Sequence, residues 1–349
     1  MNTNYRRTRH AREIMATHPG MKYTEALRAA DAAHEREHVD ATLATHVERW
    51  NGQVHQDHFT FLLGPLLDDP STLAEIAIGR GWGSALIAGV TDTGRNHAAD
   101  VIIAQAAAMT LISFGAQPAT VHILDLHGTV ARRWRDRPSI TVSDGTRPEM
   151  IDGTLTSGPR VLAEHMEHIH DEFSRRRAIL SELPDVPSVE ALPDETRARL
   201  KLAPMFIVVP DLHEHFVAQN LTTEQVIATS ADSRNYIAEN TWLLARMGRA
   251  YGIHLIVTDD RMVRGHVWAQ TMSNLSTRIL MGKTPGALTE NVIGLPMNTP
   301  IADEEAQLAP GIARVIDGND SKVRLVRVFD VTDEALDRIL PRRGTAQQR

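Results

Sequence analysis

Ala85-Leu86-Ile87-Ala88-Gly89-Val90-Thr91-Asp92-Thr93-Gly94-Arg95-Asn96 is a short apolar run that ends in a loop bounded by two glycines, and a Gly- and Pro-free segment follows it. The run reads as a buried strand and the following segment as a helix, so the loop lies at a strand-to-helix turn. Backbone N–H groups in such a loop, together with the first turn of the helix, direct positive partial charge at polyphosphate oxygens. Glycine leaves room for that approach. The candidate phosphate-binding residues are therefore Gly89, Thr91, Asp92, Thr93, Gly94, Arg95, Asn96 and His97. The same residues would also suit an ordinary glycine-rich turn.

Working outward, apolar runs alternate with helical segments. Strands are expected at 59–63, 73–78, 85–88, 120–124, 140–142, 205–209, 253–257, 277–281, 311–316 and 322–329. Helices are expected near 97–113, 159–183 and 233–250. Strands without polar alternation, separated by helices, predict a mostly parallel sheet covered on both faces. Pro184, Pro187 and Pro193 mark an insertion or linker. Residues 24–50 are rich in Ala and charge and read as one or two helices outside the main core.

The chain has 349 residues, 42% of them hydrophobic, which supports a substantial core and excludes wholesale disorder. Its net charge of -7 argues against coating nucleic acid by global charge, and leaves a local basic lining open. The absence of cysteine removes disulfides, thiol nucleophiles and cysteine-bound metal. The uncharged stretch from Val101 to Leu124 is interrupted by Gln105, Thr110 and Pro118, so a helix and a strand fit it better than a membrane span. Arg6, Arg7, Arg9 and Arg12 are not followed by an apolar run, which argues against a secretory signal. The expected location is cytoplasmic.

Five further segments carry a resemblance. Ile123-Leu124-Asp125-Leu126-His127-Gly128 is similar to a strand ending in Asp-x-Lys-Gly, with His127 in the Lys place. In Glu172-Phe173-Ser174-Arg175-Arg176 a glutamate precedes a double arginine. Met205 to Glu214 resembles a Walker B strand. Gly252-Ile253-His254-Leu255 and Asn274-Leu275-Ser276-Thr277-Arg278-Ile279 follow in order. Together with the loop at Gly89, these make the chain resemble the FtsK/SpoIIIE family of P-loop translocases from about Phe59 to Leu340. The resemblance implies an α/β, RecA-like P-loop NTPase fold with a mostly parallel sheet, preceded by an N-terminal helical extension. The implied organisation is an extension over 1–56, an ATPase-like domain over 57–341 and a tail over 342–349.

Several residues depart from the family pattern. Arg95 stands in the place of the loop lysine and Asn96 in that of the magnesium-binding hydroxyl. Matching Glu214 to the family's later acid puts Pro210 in the metal-organising place and Asp211 in that of the water-activating Glu. A one-residue slip instead makes Asp211 the magnesium carboxylate and leaves Leu212 as the base, which cannot act. Asp259-Asp260-Arg261 replaces Thr-Gln-Arg. The resemblance then implies weak binding of ATP or ADP with little hydrolysis, and it leaves magnesium open. Asp211 and Arg278 are the candidate catalytic residues, with Arg278 either serving a neighbour's nucleotide or making a structural ion pair.

The leading reading is a DNA-handling component assembled with itself or with homologous P-loop subunits, with DNA bound in the assembled state. The alternatives are an active DNA translocase and a type VII secretion-like component that binds a protein substrate. Metal chemistry on His165-x-x-His168-x-His170, His34 with His38, or His213-x-His215 is set aside in favour of solvated or pairing histidines. No metal site is expected.

Overall fold

The computed structural model describes residues 12, 14–16, 21–26, 54–55, 58–79, 83–108, 119–183, 185–216, 226–260, 271–284, 286–293, 308–317 and 322–342. Most of the expected N-terminal helical segment, including His34 and His38, lies outside them, as do Arg261 and the C-terminal tail from 343.

Eight strands form the main sheet. They are β4 (Ala85–Ala88), β5 (Thr120–Asp125), β6 (Ile140–Asp144), β9 (Met205–Val209), β10 (Ile253–Asp259), β11 (Thr277–Met281), β12 (Ile312–Ile316) and β13 (Arg324–Arg327). Their spatial order is β13-β12-β11-β4-β10-β9-β5-β6. The six strands from β11 to β6 run parallel, while β12 and β13 are antiparallel at one edge. Within β4, β9 and β10 alternate residues join opposite cores. Ala85, Ile87, Phe206, Val208 and Ile256 pack on one face, and Leu86, Ala88, Ile207, Val209, Leu255 and Val257 on the other. A sheet buried on both sides needs apolar residues at both parities, which is why these strands read as unbroken hydrophobic runs.

Helix α1 (Arg95–Ala108) covers the first face together with a small antiparallel sheet of β1 (Val54–His55), β2 (His58–Pro65) and β3 (Leu73–Gly79). The small sheet begins at Val54, inside the stretch assigned to the extension. Gln105, buried on α1, donates to the carbonyl of Leu62 at 2.8 Å and accepts from its N–H at 2.9 Å. Its amide thus satisfies a strand residue that would otherwise be orphaned beside the β2 irregularity at Leu62 and Gly64.

A four-residue helix, α2 (Ala131–Trp134), follows β5. Helices α3 (Pro159–Ser181) and α6 (Val226–Met247) contribute to the second face. Between them, α4 (Asp194–Leu200) follows the proline-rich stretch and the short α5 (His213–Phe216) follows β9. The proline-rich stretch packs as an insertion: Val189 and Leu192 bury against Leu180 and Leu202. A hairpin of β7 (Glu149–Ile151) and β8 (Thr154–Thr156), not anticipated from sequence, pairs Met150 with Leu155 and leaves both exposed. Among the described residues no helix is long and apolar enough to cross a membrane.

Of the three histidines on α3, His165 is the buried one. Its Nε2 lies 2.9 Å from His122 Nδ1 and its Nδ1 lies 2.8 Å from Ser143 Oγ. His168 turns to the carbonyl of Glu164 and His170 to Asn240. Burial pushes His122 down to about 4, aided by Arg176, and His165 down to about 3, aided by His122 and His168. Both rings are therefore neutral in the folded chain, whereas the unfolded chain protonates them from about pH 6.5 downward. Folding stability is then lost as pH falls from about 6.5 toward 4. Between about pH 7 and pH 5 the loss is about 2 kcal/mol per ring. Urea midpoints measured across this range should fall, and the slope should shrink in His122→Leu; a flat profile would contradict the buried neutral pair.

Candidate nucleotide site

The site forms at the carboxyl ends of β4, β10 and β9, which are adjacent in that order. Ligands favour this edge of a parallel sheet, because strand ends and helix N-termini converge there. The loop after β4 holds Asp92 at φ 65° and Gly94 at φ 96°. A Cβ on Gly94 would meet Met281 Cε at 3.3 Å and the Gly311 nitrogen at 3.4 Å, contacts that the flexible methionine can relieve, so it is the positive φ that calls for glycine. Thr93 is buried in the loop's own interior: its hydroxyl donates to the Val90 carbonyl at 2.7 Å and its carbonyl accepts from Gly311 at 3.0 Å.

A cavity of about 580 Å³ opens over the loop. It is lined by Val90 to Asp92, Gly94 to His97, Pro310 with Gly311, and Arg327 to Asp330. Gly89 and Thr93 therefore shape the loop from behind, while the other predicted residues face the cavity. The first turn of α1 carries no acid, which leaves its N-terminal N–H groups suited to an anion. Asn96 Oδ1 is buried and has no hydrogen-bond partner among the described residues. His97 Nδ1 sits 3.2 Å from Asp330 at the rim. The hydrogen bond to Asp330 raises its pKa against the opposing effect of burial.

Arg95 reaches across the end of β10. Its Nη2 is 2.6 Å from Asp211 Oδ1 and its Nη1 is 3.9 Å from Asp260, with side chains only 11% and 14% exposed for Arg95 and Asp211. Asp211 follows β9 at φ 52° and its N–H donates to Thr258 Oγ1 at 3.2 Å. Burial and Asp260 raise the Asp211 pKa; Arg95 and His213 oppose that rise. Pro210 is buried and brings no carboxylate.

Three neighbouring acids are also drawn in. His213 Nδ1 lies 2.8 Å from Asp259, and Nε2 lies 2.9 Å from Glu214. Burial disfavours the charged ring, but the hydrogen bond to Asp259 and the charges of Asp259, Asp260 and Glu214 outweigh it and raise its pKa. His215, two residues on, is fully buried with its pKa pushed down to about 3 by burial. The two histidines of this motif thus have opposite environments. Spacing along the chain gave no sign of this convergence, because it depends on β10 lying between β4 and β9.

Asp125, at the end of β5, is 1% exposed. Its carboxylate accepts from the N–H groups of His127, Gly128, Val130 and Ala131 at 2.7 to 3.1 Å. It caps the following turn rather than facing the cavity. Arg278 lies on β11 with its guanidinium donating to the carbonyls of Leu275, Val292 and Met272 at 3.0 to 3.4 Å. Among the described residues it makes no ion pair. Its Nη1 and Nη2 each keep a further N–H beyond these carbonyl bonds.

No protein-family model and no curated protein matches this chain. Solved structures do. The pCW3 conjugation coupling protein TcpA, in its monomer form with ATPgS, is similar at 16% identity and a TM-score of 0.58, over 83% of this chain and 75% of that one. The cytoplasmic domain of the Thermomonospora curvata type VII secretion ATPase EccC is similar at 17% identity and a TM-score of 0.56, over 80% of this chain and 30% of that one. EssC (ATPases 2 and 3) from Geobacillus thermodenitrificans is similar at 16% identity and a TM-score of 0.55, over 81% of this chain and 48% of that one. The chain thus spans three quarters of TcpA and less than half of the EccC and EssC chains. At these identities the likeness defines the fold: this chain has the mixed α/β architecture, with a large and mostly parallel central sheet, of P-loop NTPases.

Proposed function

We propose that this chain is a nucleotide-binding P-loop protein of the FtsK/SpoIIIE type whose site takes ATP or ADP weakly and turns it over slowly. The observation that carries this reading is the Arg95–Asp211 pair at 2.6 Å. The cation in the lysine place is already engaged by a largely buried carboxylate, so a polyphosphate must compete for it. Asp211 can serve as magnesium carboxylate or as base, but not as both, and neither Pro210 nor Leu212 supplies the missing group.

The residues present fit a polyphosphate. Gly94 leaves the cradle open, α1 presents its N-terminus, and His97 stands at the rim. The orphaned Asn96 Oδ1 is the atom that would hold a magnesium ion. When bound, that ion neutralises phosphate charge. In this reading the domain works in DNA handling, assembled with itself or with homologous P-loop subunits, and the N-terminal segment is an extension to it. A protein substrate is the alternative cargo.

Titration with a fluorescent ATP or ADP analogue tests the site. Saturable binding is expected, weakened at least about tenfold in Gly94→Val, because an L side chain at this φ is strained by about 1 kcal/mol or more and fills the cradle. Binding that survives unchanged in Gly94→Val would place the nucleotide elsewhere.

A further inference from the structure

The carboxyl end of β10 and the first turn after β9 bring one imidazole nitrogen and two carboxylates together. Ligand atoms of His213, Asp259 and Asp260 all lie within 4.8 Å of one another. His213 Nδ1 is 2.8 Å from Asp259 Oδ1 and 3.5 Å from Asp260 Oδ1. Two ligands held at about 2.1 Å from one ion stand about 3.0 Å apart in octahedral geometry and about 3.4 Å apart in tetrahedral geometry. The two spacings from Nδ1 are therefore close to those of ligands sharing one ion.

The second ring nitrogen strengthens the case. His213 Nε2 is held by Glu214 Oε1 at 2.9 Å. A carboxylate on the far nitrogen is the arrangement that fixes the tautomer and orientation of a ligating histidine and raises its basicity. His213 and Asp259 are both almost fully buried, which limits competition from water. The third ligand, Asp260, is only 20% exposed at its side chain.

We propose that His213 Nδ1 and the carboxylates of Asp259 and Asp260 form a binding site for one divalent transition-metal ion of the zinc class. The ion takes the place of the Nδ1 proton, which leaves to solvent, while Nε2–H stays on Glu214. A nitrogen ligand beside two oxygens suits zinc, cobalt or manganese, whereas magnesium prefers an all-oxygen shell. This site is distinct from the Asn96 carbonyl over the loop, and its occupancy does not require nucleotide. An ion here would tie the end of β10 to the turn after β9 and would share Asp260 with Arg95.

The experiment uses the full chain, free of affinity tag and of nucleotide, titrated with Co²⁺ and followed by visible d–d absorption. The expected result is a saturable band at one equivalent, abolished by Zn²⁺ and unaffected by the same concentration of Mg²⁺. His213→Ala should lose the band, and Glu214→Gln should weaken binding roughly tenfold because it alters only the support of the ligand. If His213→Ala does not fold, Asp260→Asn at the partly exposed ligand makes the same comparison, with at least about tenfold weaker binding expected. No band at near-millimolar cobalt, or an undiminished band in the ligand variant that folds, would overturn the proposal. Because nucleotide is absent throughout, a failed nucleotide titration leaves this outcome standing, and the reverse holds as well.

Discussion

Asp125→Ala should lower folding stability by about 4 kcal/mol or more, a large fraction of the roughly 5 to 15 kcal/mol typical of a whole domain. Asp125 ends β5, and its buried carboxylate accepts four backbone N–H groups from the turn that follows. Removing it leaves those donors without a partner, and each buried donor so stranded costs about 1 to 3 kcal/mol. The exposed position of His127 lets water recover part of the loss, which is why the total stays near the lower end. Asp125→Asn should fall between the two, since one side-chain oxygen still accepts while the amide N–H₂ faces other donors. Urea unfolding of the three proteins measures the effect. A change under about 1 kcal/mol for Asp125→Ala would show that the turn does not depend on this carboxylate.

The second large effect concerns activity. Arg95→Lys, Asn96→Ser, Pro210→Asp and Asp211→Glu made together should raise phosphate release by about a hundredfold or more, the lower end of what a positioned acid or base contributes. Each substitution alone should leave the rate near that of the parent. With Arg95→Lys alone, the new ammonium would still be captured by the Asp211 carboxylate, and with Pro210→Asp alone, Arg95 would still be held by Asp211. Groups that act as one unit respond this way, with single changes nearly silent. Pro210 is buried, so a circular-dichroism melt of the combined variant must accompany the assay. Recovery of hydrolysis in Arg95→Lys alone would show that Asp211 is sufficient and that the argument from Pro210 is wrong.

Much of the fold was legible because its signals are local. Unbroken apolar runs at 85–88, 205–209 and 253–257 have no solvent face, and the two glycines of the loop sit where strand gives way to helix. The hairpin at 149–156 was missed because its strands are three residues long and its apolar pair points outward, which defeats a reading based on burial. The stretch through Pro184 and Pro193 suggested an insertion or a linker, and proline density could not decide between them because it says nothing of Val189 and Leu192 packing on Leu180.

The candidate site was half legible. Gly94, Arg95, Asn96 and His97 could be named from one loop, but the partner of Arg95 could not. Asp211, Asp259 and Asp260 lie on two other strand ends, and their meeting at Arg95 and His213 depends on the spatial order of β4, β10 and β9. Sequence order does not state that order. Arg278 could be named from a motif, but the carbonyls of Leu275, Val292 and Met272 that hold it could not, because Val292 reaches it only through the fold.

The most direct test of the central claim is steady-state phosphate release by the unmodified chain at saturating ATP and magnesium, with and without double-stranded DNA, after nucleotide binding has been confirmed by titration. The Arg95–Asp211 pair and the lack of a carboxylate at Pro210 predict measurable binding with turnover well below about 1 per second in both conditions. Turnover of about 1 to 100 per second, above all if DNA stimulates it, would contradict the account and identify a working motor.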